Sequence, residues 1–350
     1  MVILVLVFVV VFTVYLFERV SVNSGVSTSS PSVRVRGIRY FNATSYQRML
    51  GVGIDVDWLS FRKVMYYYFY WRDRNVSIPL IFRERGFSNV RIRIGGDVVE
   101  NRTLLKILGE VVDDCLKAGI IPVISYSADE LCSNPSNKSI EHFIEWWTTV
   151  AKYFAGKDYL VSFDLITETH GVLGREPGLL NKIYNETIEA IRRIDKYRII
   201  IVTPAHTSSP FALKYLHVKF DPYVMVEWHI YAGGPKPHGN MLFNRTYIVE
   251  AVKTAVEWSK KHMVPTWVGA WRPNRYPKHI KLYYPDGAPK GLLTINESKV
   301  FAEYMSKTLC KHGIPFDINA DSRFFDYQHL RWYPSQKPVL DAILRACNYS

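Results

Sequence analysis

The chain has 350 residues, of which 48% are hydrophobic and 22% charged, and its formal net charge is +12. A chain of this length holds one large core, and α/β barrels of about 250 residues fold as single domains. The basic residues are scattered and no basic helix or nucleic-acid module is present, so the charge indicates a solvated basic surface and no nucleic acid is expected as a partner. Gln is scarce, which hints at a thermophile.

The N-terminal segment is the first predicted element. Val2 to Phe17 is apolar except for Thr13, and sixteen helical residues span about 24 Å, short of the roughly 30 Å hydrocarbon core. Because no A-x-A-like cleavage site follows, residues 1–19 are expected to form an uncleaved membrane anchor, with a signal peptide as the alternative. Arginines after this segment favour a cytoplasmic position for the chain that follows it, which is the orientation opposite to export. Residues 20–34 are predicted to be a Ser-rich linker, and residues 35–350 the main domain.

Eight Asn-x-Ser/Thr sequons are spread along the chain, where chance would give about two. They begin at Asn42, Asn75, Asn101, Asn137, Asn185, Asn244, Asn296 and Asn348. This number predicts export and N-linked glycans at the surface. The number of sequons outweighs the orientation that the arginines after the N-terminal segment favour. We therefore expect an extracellular protein that is either anchored at the cell surface or secreted.

Four cysteines are present, and their spacing fits no zinc motif. They are Cys115, Cys132, Cys310 and Cys347. Two disulfides are expected in an exported chain. The pairs 115–132 and 310–347 are the simplest of the three possible connectivities.

From about residue 35, short β-branched apolar runs alternate with segments of helical periodicity. Predicted strands cover 50–55, 89–94, 120–125, 160–166, 198–203, 223–229, 264–269 and 314–319. Predicted helices cover 78–86, 102–118, 139–155, 179–194, 209–216, 246–262, 295–312 and 337–346. This alternation predicts an α/β fold, a (β/α)8 TIM barrel. The alternative, a doubly wound open sheet, is less favoured because no glycine-rich phosphate loop follows the first strand.

The predicted strand ends carry polar side chains, and in parallel barrels catalytic groups lie at these ends. Glu168 ends the fourth strand, and Glu227 precedes His229 and Tyr231 on one face of the sixth strand by period-2 alternation. The other strand ends contribute Arg91, Arg93, Asp97, Glu130, Trp271, Asn319 and Asp321. Pairs of carboxylates hydrolyse glycosidic bonds, and aromatic faces suit sugar rings. No metal-ligand spacing or Ser-His-Asp arrangement is present, so no metal and no cofactor are expected.

From about residue 50 to 345 the chain resembles glycoside hydrolase family 5, the cellulase-type (β/α)8 hydrolases. The resemblance rests on Gly86-Phe-x-x-Val-Arg-Ile, on Thr167-Glu-Thr-His in place of Asn-Glu-Pro-His, and on His229-x-Tyr231. Within the family it is most similar to a divergent branch that also has Glu-Trp-His-x-Tyr-Ala-x-Gly-Pro, Thr-Trp-Val-Gly-Ala-Trp and Ile-Pro-Phe-x-x-Asn-x-Asp stretches, which match 227–235, 266–271 and 314–321.

The resemblance implies that Glu168 is the general acid/base, with its pKa raised to hold a proton. It implies that Arg91 orients a second carboxylate and that His229 and Tyr231 line the sugar site. We also expect His170, Asp97, Trp271, Asn319 and Asp321 to contact substrate. Each of these residues lies at or just beyond the end of a predicted strand.

Two positions depart from the family pattern. Thr167 replaces the Asn that bonds the sugar 2-hydroxyl, so this contact is shorter or lost. Ala270 replaces the Glu that serves as nucleophile, and alanine cannot attack an anomeric carbon. Glu227 is the first candidate for the second catalytic group, with Asp97, Glu130 and Asp321 as weaker candidates.

The expected function is an extracellular glycoside hydrolase that cleaves β-1,4-linked glucan or a related β-glycan. A catalytically silent, glycan-binding surface glycoprotein on the same fold is the alternative, and a transglycosylase is a further one. The expected partners are a polysaccharide or oligosaccharide, N-linked glycans, and a membrane through the N-terminal segment.

Overall fold

The computed structural model describes residues 33–35, 38–233, 242–276 and 282–347. The predicted anchor, the predicted linker up to residue 32, and Asn348 lie outside the described residues. The first strand, Val33–Val35, includes the last two residues assigned to the linker. Within the described part of the chain, no helix has both the length and the hydropathy that a bilayer span requires.

Eight parallel strands close into a barrel, and this confirms the predicted (β/α)8 fold. In chain order they are β3 Val52–Val56, β4 Asn89–Ile94, β5 Ile121–Tyr126, β6 Ser162–Asp164, β7 Ile200–Val202, β8 Val224–Ile230, β9 Thr266–Trp271 and β10 Phe316–Ile318. A hairpin, β1 Val33–Val35 with β2 Ile38–Tyr40, precedes the barrel, and a small pair, β11 Phe325–Asp326 with β12 Arg331–Trp332, follows it. Every predicted strand overlaps a barrel strand, because strands buried on both faces form continuous apolar runs.

Helices pack around the barrel. They are α1 Ala43–Leu50, α2 Arg62–Arg72, α3 Ile78–Arg85, α4 Arg102–Lys117, α5 Asp129–Ser133, α6 Asn137–Phe154, α7 Pro177–Arg192, α8 Arg245–His262, α9 Ile295–Lys311 and α10 Lys337–Arg345. Shorter helical turns cover Leu173–Arg175, Ala205–Ser208, Pro210–Tyr215, Asp321–Arg323 and Pro334–Gln336. Side-chain caps fix several of the helix starts; Thr294 and Glu297 form a capping box at α9.

The aromatic helix α2 was not predicted. Its sequence, RKVMYYYFYWR, has no polar stripe of helical period. Tyr68 is the one buried residue of this helix, whereas Tyr66 is 61% exposed. Arg72 ties the helix to α4 through Asp114 at 2.6 Å.

The residues that follow the hairpin cover the N-terminal end of the barrel. Tyr40 packs on Tyr159 and Tyr197 at ring-centre distances of 4.6 and 4.4 Å. Tyr40 and Tyr46 belong to one buried cluster with inward-facing barrel residues such as Trp267. This cluster closes the barrel floor, so the opposite rim, formed by the C-terminal ends of the strands, is where a site can lie.

One of the two predicted disulfides forms. Cys310 and Cys347 are bonded, with Cα atoms 5.3 Å apart, because α9 and α10 both end at the floor side of the barrel. The predicted 115–132 bond is wrong: Cys115 and Cys132 are buried free thiols. Cys115 lies near the floor end of α4, whereas Cys132 follows β5 at the rim, so the two thiols belong to opposite ends of the barrel.

Candidate active site

A buried arginine organises the barrel interior beneath the rim. Arg91 on β4 donates from Nε and Nη2 to the two carboxylate oxygens of Asp55, at 2.7 and 3.0 Å. Its Nη1 donates to Glu227 Oε2 at 2.6 Å and to Asp164 Oδ2 at 3.3 Å. All four side chains are 0% exposed. The planar guanidinium therefore fixes both Asp55 and Glu227.

Burial acts strongly on two acids of this interior cluster. It raises the pKa values of Asp164 and Asp317 well above the usual range, although the charge of Arg91 acts in the opposite direction on both. Arg91 forms buried ion pairs with Asp55 and Glu227. Breaking one partner of a buried pair of this kind costs about 3–5 kcal/mol.

His229 on β8 bridges two glutamates with its two ring nitrogens. Nδ1 lies 2.8 Å from Glu168 Oε2, and Nε2 lies 3.4 Å from Glu227 Oε2. Burial alone lowers the pKa of His229, but the charge of Glu227 and the hydrogen bonds to both glutamates raise it to about 9. At neutral pH the ring is therefore an imidazolium that donates from both nitrogens.

Glu168 lies at the rim, four residues beyond the last residue of β6. The preceding Thr167 holds this turn, since its N–H donates to the Tyr126 carbonyl at 2.9 Å and its own carbonyl accepts from Arg91 at 3.3 Å. The Glu168 side chain is 32% exposed. Burial alone would raise its pKa, but the hydrogen bond and charge of His229 lower it. The expected raised pKa of Glu168 is therefore wrong for the free protein, in which the proton resides on His229.

The hydroxyl of Thr167 is bound inside the protein. Thr167 Oγ1 lies 2.7 Å from Ser125 Oγ, and Ser125 is hydrogen-bonded to Asp164. This accounts for the departure from the family pattern, since the threonine side chain is shorter than asparagine and is engaged by β5.

Glu227 approaches the seventh strand at the residue before Ala270. A Cβ on Gly269 would lie 1.6 Å from Glu227 Oε2, so the carboxylate occupies the space that a side chain there would fill. Glu227 is 0% exposed, and its Oε1 has no hydrogen-bond partner among the described residues. Its role as the second catalytic carboxylate stays a prediction, and its burial favours action through His229.

Several other predicted residues lie at the rim but apart from this cluster. Asp97 pairs with His142 at 3.0 Å, and His170 pairs with the exposed Asp129 at 3.1 Å. The N–H of Asn319 donates to the Trp271 carbonyl at 2.8 Å. Glu130 is exposed on α5.

Two predicted substrate contacts are wrong. Trp271 is 0% exposed, and its ring packs against Phe301 and Phe316, at 5.8 and 5.9 Å, so it offers no face to a sugar. Asp321 is also 0% exposed; its carboxylate accepts from Tyr327 and from the backbone N–H of Asp57. Both side chains therefore support the rim from the interior of the protein.

Sequence reasoning missed the buried acids of the interior. Asp55, Asp164 and Asp317 were hidden within strands that were identified by their apolar character. The available signal was a carboxylate at an alternating, inward-facing position of a predicted strand. Asp57, which is ion-paired with Arg93, was also missed; burial raises its pKa, and burial and the charge of Asp57 raise the pKa of Asp321 to about 7.

Among the described residues, no group of three or more His, Cys, Asp or Glu side chains has the arrangement of a metal site. The interior acids are instead bound to Arg91, Ser125, Asn89 and Trp267.

Seven of the eight sequon asparagines lie in the described part of the chain, and none is buried. Asn42, Asn101 and Asn244 cap helices with their side-chain oxygens, at 2.8, 3.0 and 2.9 Å from the receiving N–H groups. Their side-chain nitrogens are not used in these caps.

Residues 67–274 match the family model described as cellulase (glycosyl hydrolase family 5). Endoglucanase H of Acetivibrio thermocellus is 23% identical over 201 residues, which are 54% of this chain and 22% of that protein. The chain thus matches about a fifth of the length of that relative.

Solved structures share the fold. Thermotoga maritima Cel5A in complex with cellobiose superposes with a TM-score of 0.69 at 22% identity, over 86% of this chain and 100% of that one. A family 5 enzyme from Prevotella bryantii, in complex with a xyloglucan oligosaccharide, gives 0.70 at 17% identity, over 89% and 100%. The family-model match spans more than half of the residues, and the chain therefore belongs to glycosyl hydrolase family 5.

Proposed function

We propose that this chain is a glycoside hydrolase that cleaves β-1,4-linked glucan or a related β-glycan, with Glu168 as the general acid/base. One observation carries the proposal: a partly exposed carboxylate follows the fourth barrel strand at the rim, 2.8 Å from a buried imidazolium. Family membership and relatives named as endoglucanases support the reaction class.

The Glu168–His229 pair supplies the proton. In the free protein His229 holds it and Glu168 is ionised. Transfer along the 2.8 Å hydrogen bond makes Glu168 an acid that protonates the leaving glycosidic oxygen and leaves His229 neutral. After the leaving group has departed, Glu168 acts as a base toward the water that replaces it, and the proton returns to His229.

The second carboxylate is Glu227 in this proposal. Arg91 and His229 hold its Oε2 at 2.6 and 3.4 Å, beside the strand that carries Ala270. From this buried position it stabilises the positive charge that develops on the sugar, and it sets the protonation of His229. A water in the cleft, rather than an enzyme carboxylate, is then the attacking group.

We further propose that the protein is extracellular, N-glycosylated, and held at a membrane or released through its N-terminal segment. The Cys310–Cys347 bond supports an oxidising compartment. The absence of burial at seven sequon asparagines supports access for glycosylation.

The test is reducing-sugar release from carboxymethyl cellulose, mannan and xylan by the purified protein. Glu168→Gln is expected to lower release by about 10²–10⁴-fold, since it removes the proton donor but keeps the side-chain shape. Glu176→Gln, at an exposed glutamate after the same strand, is the matched control. No release by the wild-type protein, or undiminished release by Glu168→Gln, refutes the proposal.

A second candidate is a catalytically silent, glycan-binding barrel. Ala270 at the seventh strand favours it, because the side chain beside His229 carries no nucleophile. Oligosaccharide binding without any turnover during long incubation would support this candidate, and measurable turnover would exclude it.

A further inference from the structure

Two arginines at the rim have no acidic partner. Arg272 follows β9 directly, and Arg323 lies in the helical turn after β10. Neither side chain forms an ion pair or a hydrogen bond with another described residue, whereas Arg93, also near the rim, is paired with Asp57. Unpaired guanidinium groups in partly buried positions are costly, so they indicate a ligand that completes them.

Arg272 lies beside the candidate acid/base. Its Cζ is 4.6 Å from the ring centre of Tyr231, on the strand that carries His229. It is close enough to Glu168 to contribute to the lowered pKa of that carboxyl. Glu168 itself is bonded to His229, and no described residue accepts a hydrogen bond from the Arg272 side chain.

Arg323 lies near Arg272 and is half-buried. Its Cζ is 4.3 Å from the ring centre of Tyr276. Burial lowers the pKa of this arginine, the Tyr276 ring partly offsets the effect, and the charges of Arg272 and Arg93 lower it further. The nearest acid that acts on it is Asp57, which Arg93 already neutralises.

The sequence provides no hidden partner in the adjoining loops. Residues 228–249 and 258–285, which include the loop after β8 and the first part of the loop after β9, contain no Asp or Glu. Asp286, later in the second loop, accepts from the N–H and hydroxyl of Ser335 at 2.8 and 3.2 Å. The counter-charge for Arg272 and Arg323 therefore does not come from these loops.

We propose that the site takes an anionic β-glycan, one whose sugars carry carboxylate groups, and that Arg272 and Arg323 bind those groups. Two guanidinium forks stacked on tyrosine rings are fixed in orientation, which suits bidentate recognition of a planar carboxylate. The inference rests on the proposed function and names its substrate class.

The experiment compares three hexasaccharides with the same β-1,4 backbone: cellohexaose, its C6-oxidised glucuronosyl form, and its C6-sulfated form. A charge-assisted contact contributes about 1.5–3 kcal/mol, so kcat/KM for the carboxylated form is expected to exceed that for cellohexaose by about tenfold to hundredfold at low salt. The sulfated form distinguishes carboxylate recognition from attraction to any anion. High salt reduces the ratio.

Arg272→Gln and Arg323→Gln are each expected to lower the ratio of carboxylated to neutral kcat/KM by about tenfold. The matched control is Arg74→Gln on α2, since this arginine also lies over a tyrosine ring, at 3.7 Å, but away from the rim. It should leave the ratio unchanged.

Calorimetric binding of the same hexasaccharides to Glu168→Gln separates this inference from the proposed function. Preferred binding of the carboxylated form without turnover by the wild-type protein keeps the inference and removes hydrolysis. Cleavage with equal or better binding of cellohexaose keeps hydrolysis and overturns the inference. A preference that survives both arginine substitutions also overturns it.

Discussion

At the scale of single residues, the candidate site depends on one imidazole that contacts two carboxylates. His229 transmits the state of the buried Arg91–Glu227 pair to the exposed Glu168 through two hydrogen-bonding contacts. This differs from a solitary acid whose pKa is raised by an apolar pocket. The proton donor and its reservoir are separate groups here, so the pH behaviour should follow the histidine.

The first residue-scale prediction concerns alkaline pH. The pKa of His229 is raised from 6.5 to about 9 by folding. The stability it contributes is fully present below pH 6.5 and is lost as the pH rises through about 9. We expect both kcat/KM and the unfolding midpoint to fall across this window, and His229→Gln to abolish the stability loss. An identical alkaline decline in the variant would assign the effect to other groups.

The second prediction concerns Gly269. An added Cβ would overlap Glu227 Oε2 at 1.6 Å and approach Arg91 Nη1 at 2.9 Å. We expect Gly269→Ala to lower the free energy of unfolding by about 3–5 kcal/mol, because it displaces one partner of a buried ion pair. Denaturant unfolding measures this.

Gly178→Ala on α7 is the control for that substitution, since a Cβ there would meet no atom within 4 Å. Its effect should stay within about 0.5 kcal/mol. Equal effects of the two substitutions would contradict the crowded position assigned to Gly269.

At the scale of elements, the alternating pattern of the sequence was sufficient for all eight barrel strands and for helices α3, α4 and α6 to α10. It was insufficient for the short helices α1 and α5 and for the hairpin that begins at Val33. It was also insufficient for α2, where aromatic residues occupy both the buried and the exposed face. Of the site, the shared face of Glu227 and His229 was predictable, since period-2 spacing within one strand determines it. The orienting role of Arg91 was implied only by the family resemblance. The protonation states of Glu168 and His229 were not predictable, because they depend on distances between strands.

The element-scale prediction concerns the bond between α9 and α10. Cys310 and Cys347 are 37 residues apart and join the two helix ends at the floor. We expect the double substitution Cys310→Ser, Cys347→Ser to lower the free energy of unfolding by about 2–4 kcal/mol. A reducing agent should reproduce this loss in the wild-type protein and have no further effect on the variant; a reductant-sensitive variant would indicate another disulfide.

At the scale of the whole molecule, polarity is distributed unequally between the two ends of the barrel. The floor is closed by a buried cluster that includes Tyr40 and Tyr46, whereas the rim gathers Glu168, Arg272 and Arg323. The formal charge of +12 indicates a positive field around the protein. An anionic polymer would be attracted to it before any specific contact forms, so association should weaken as ionic strength rises.

The covered floor also determines which end of the barrel is accessible when the protein is attached to a surface. Val33 pairs with Tyr40, whose ring packs on Tyr159 and Tyr197, so the described polypeptide enters the barrel at the end opposite Glu168. A bead, electrode or lipid film coupled through side chains at the floor end would consequently present the cleft outward, toward bulk polymer. Coupling through side chains of the rim would hide it, and the two modes of immobilisation should differ sharply in how much insoluble fibre they can reach.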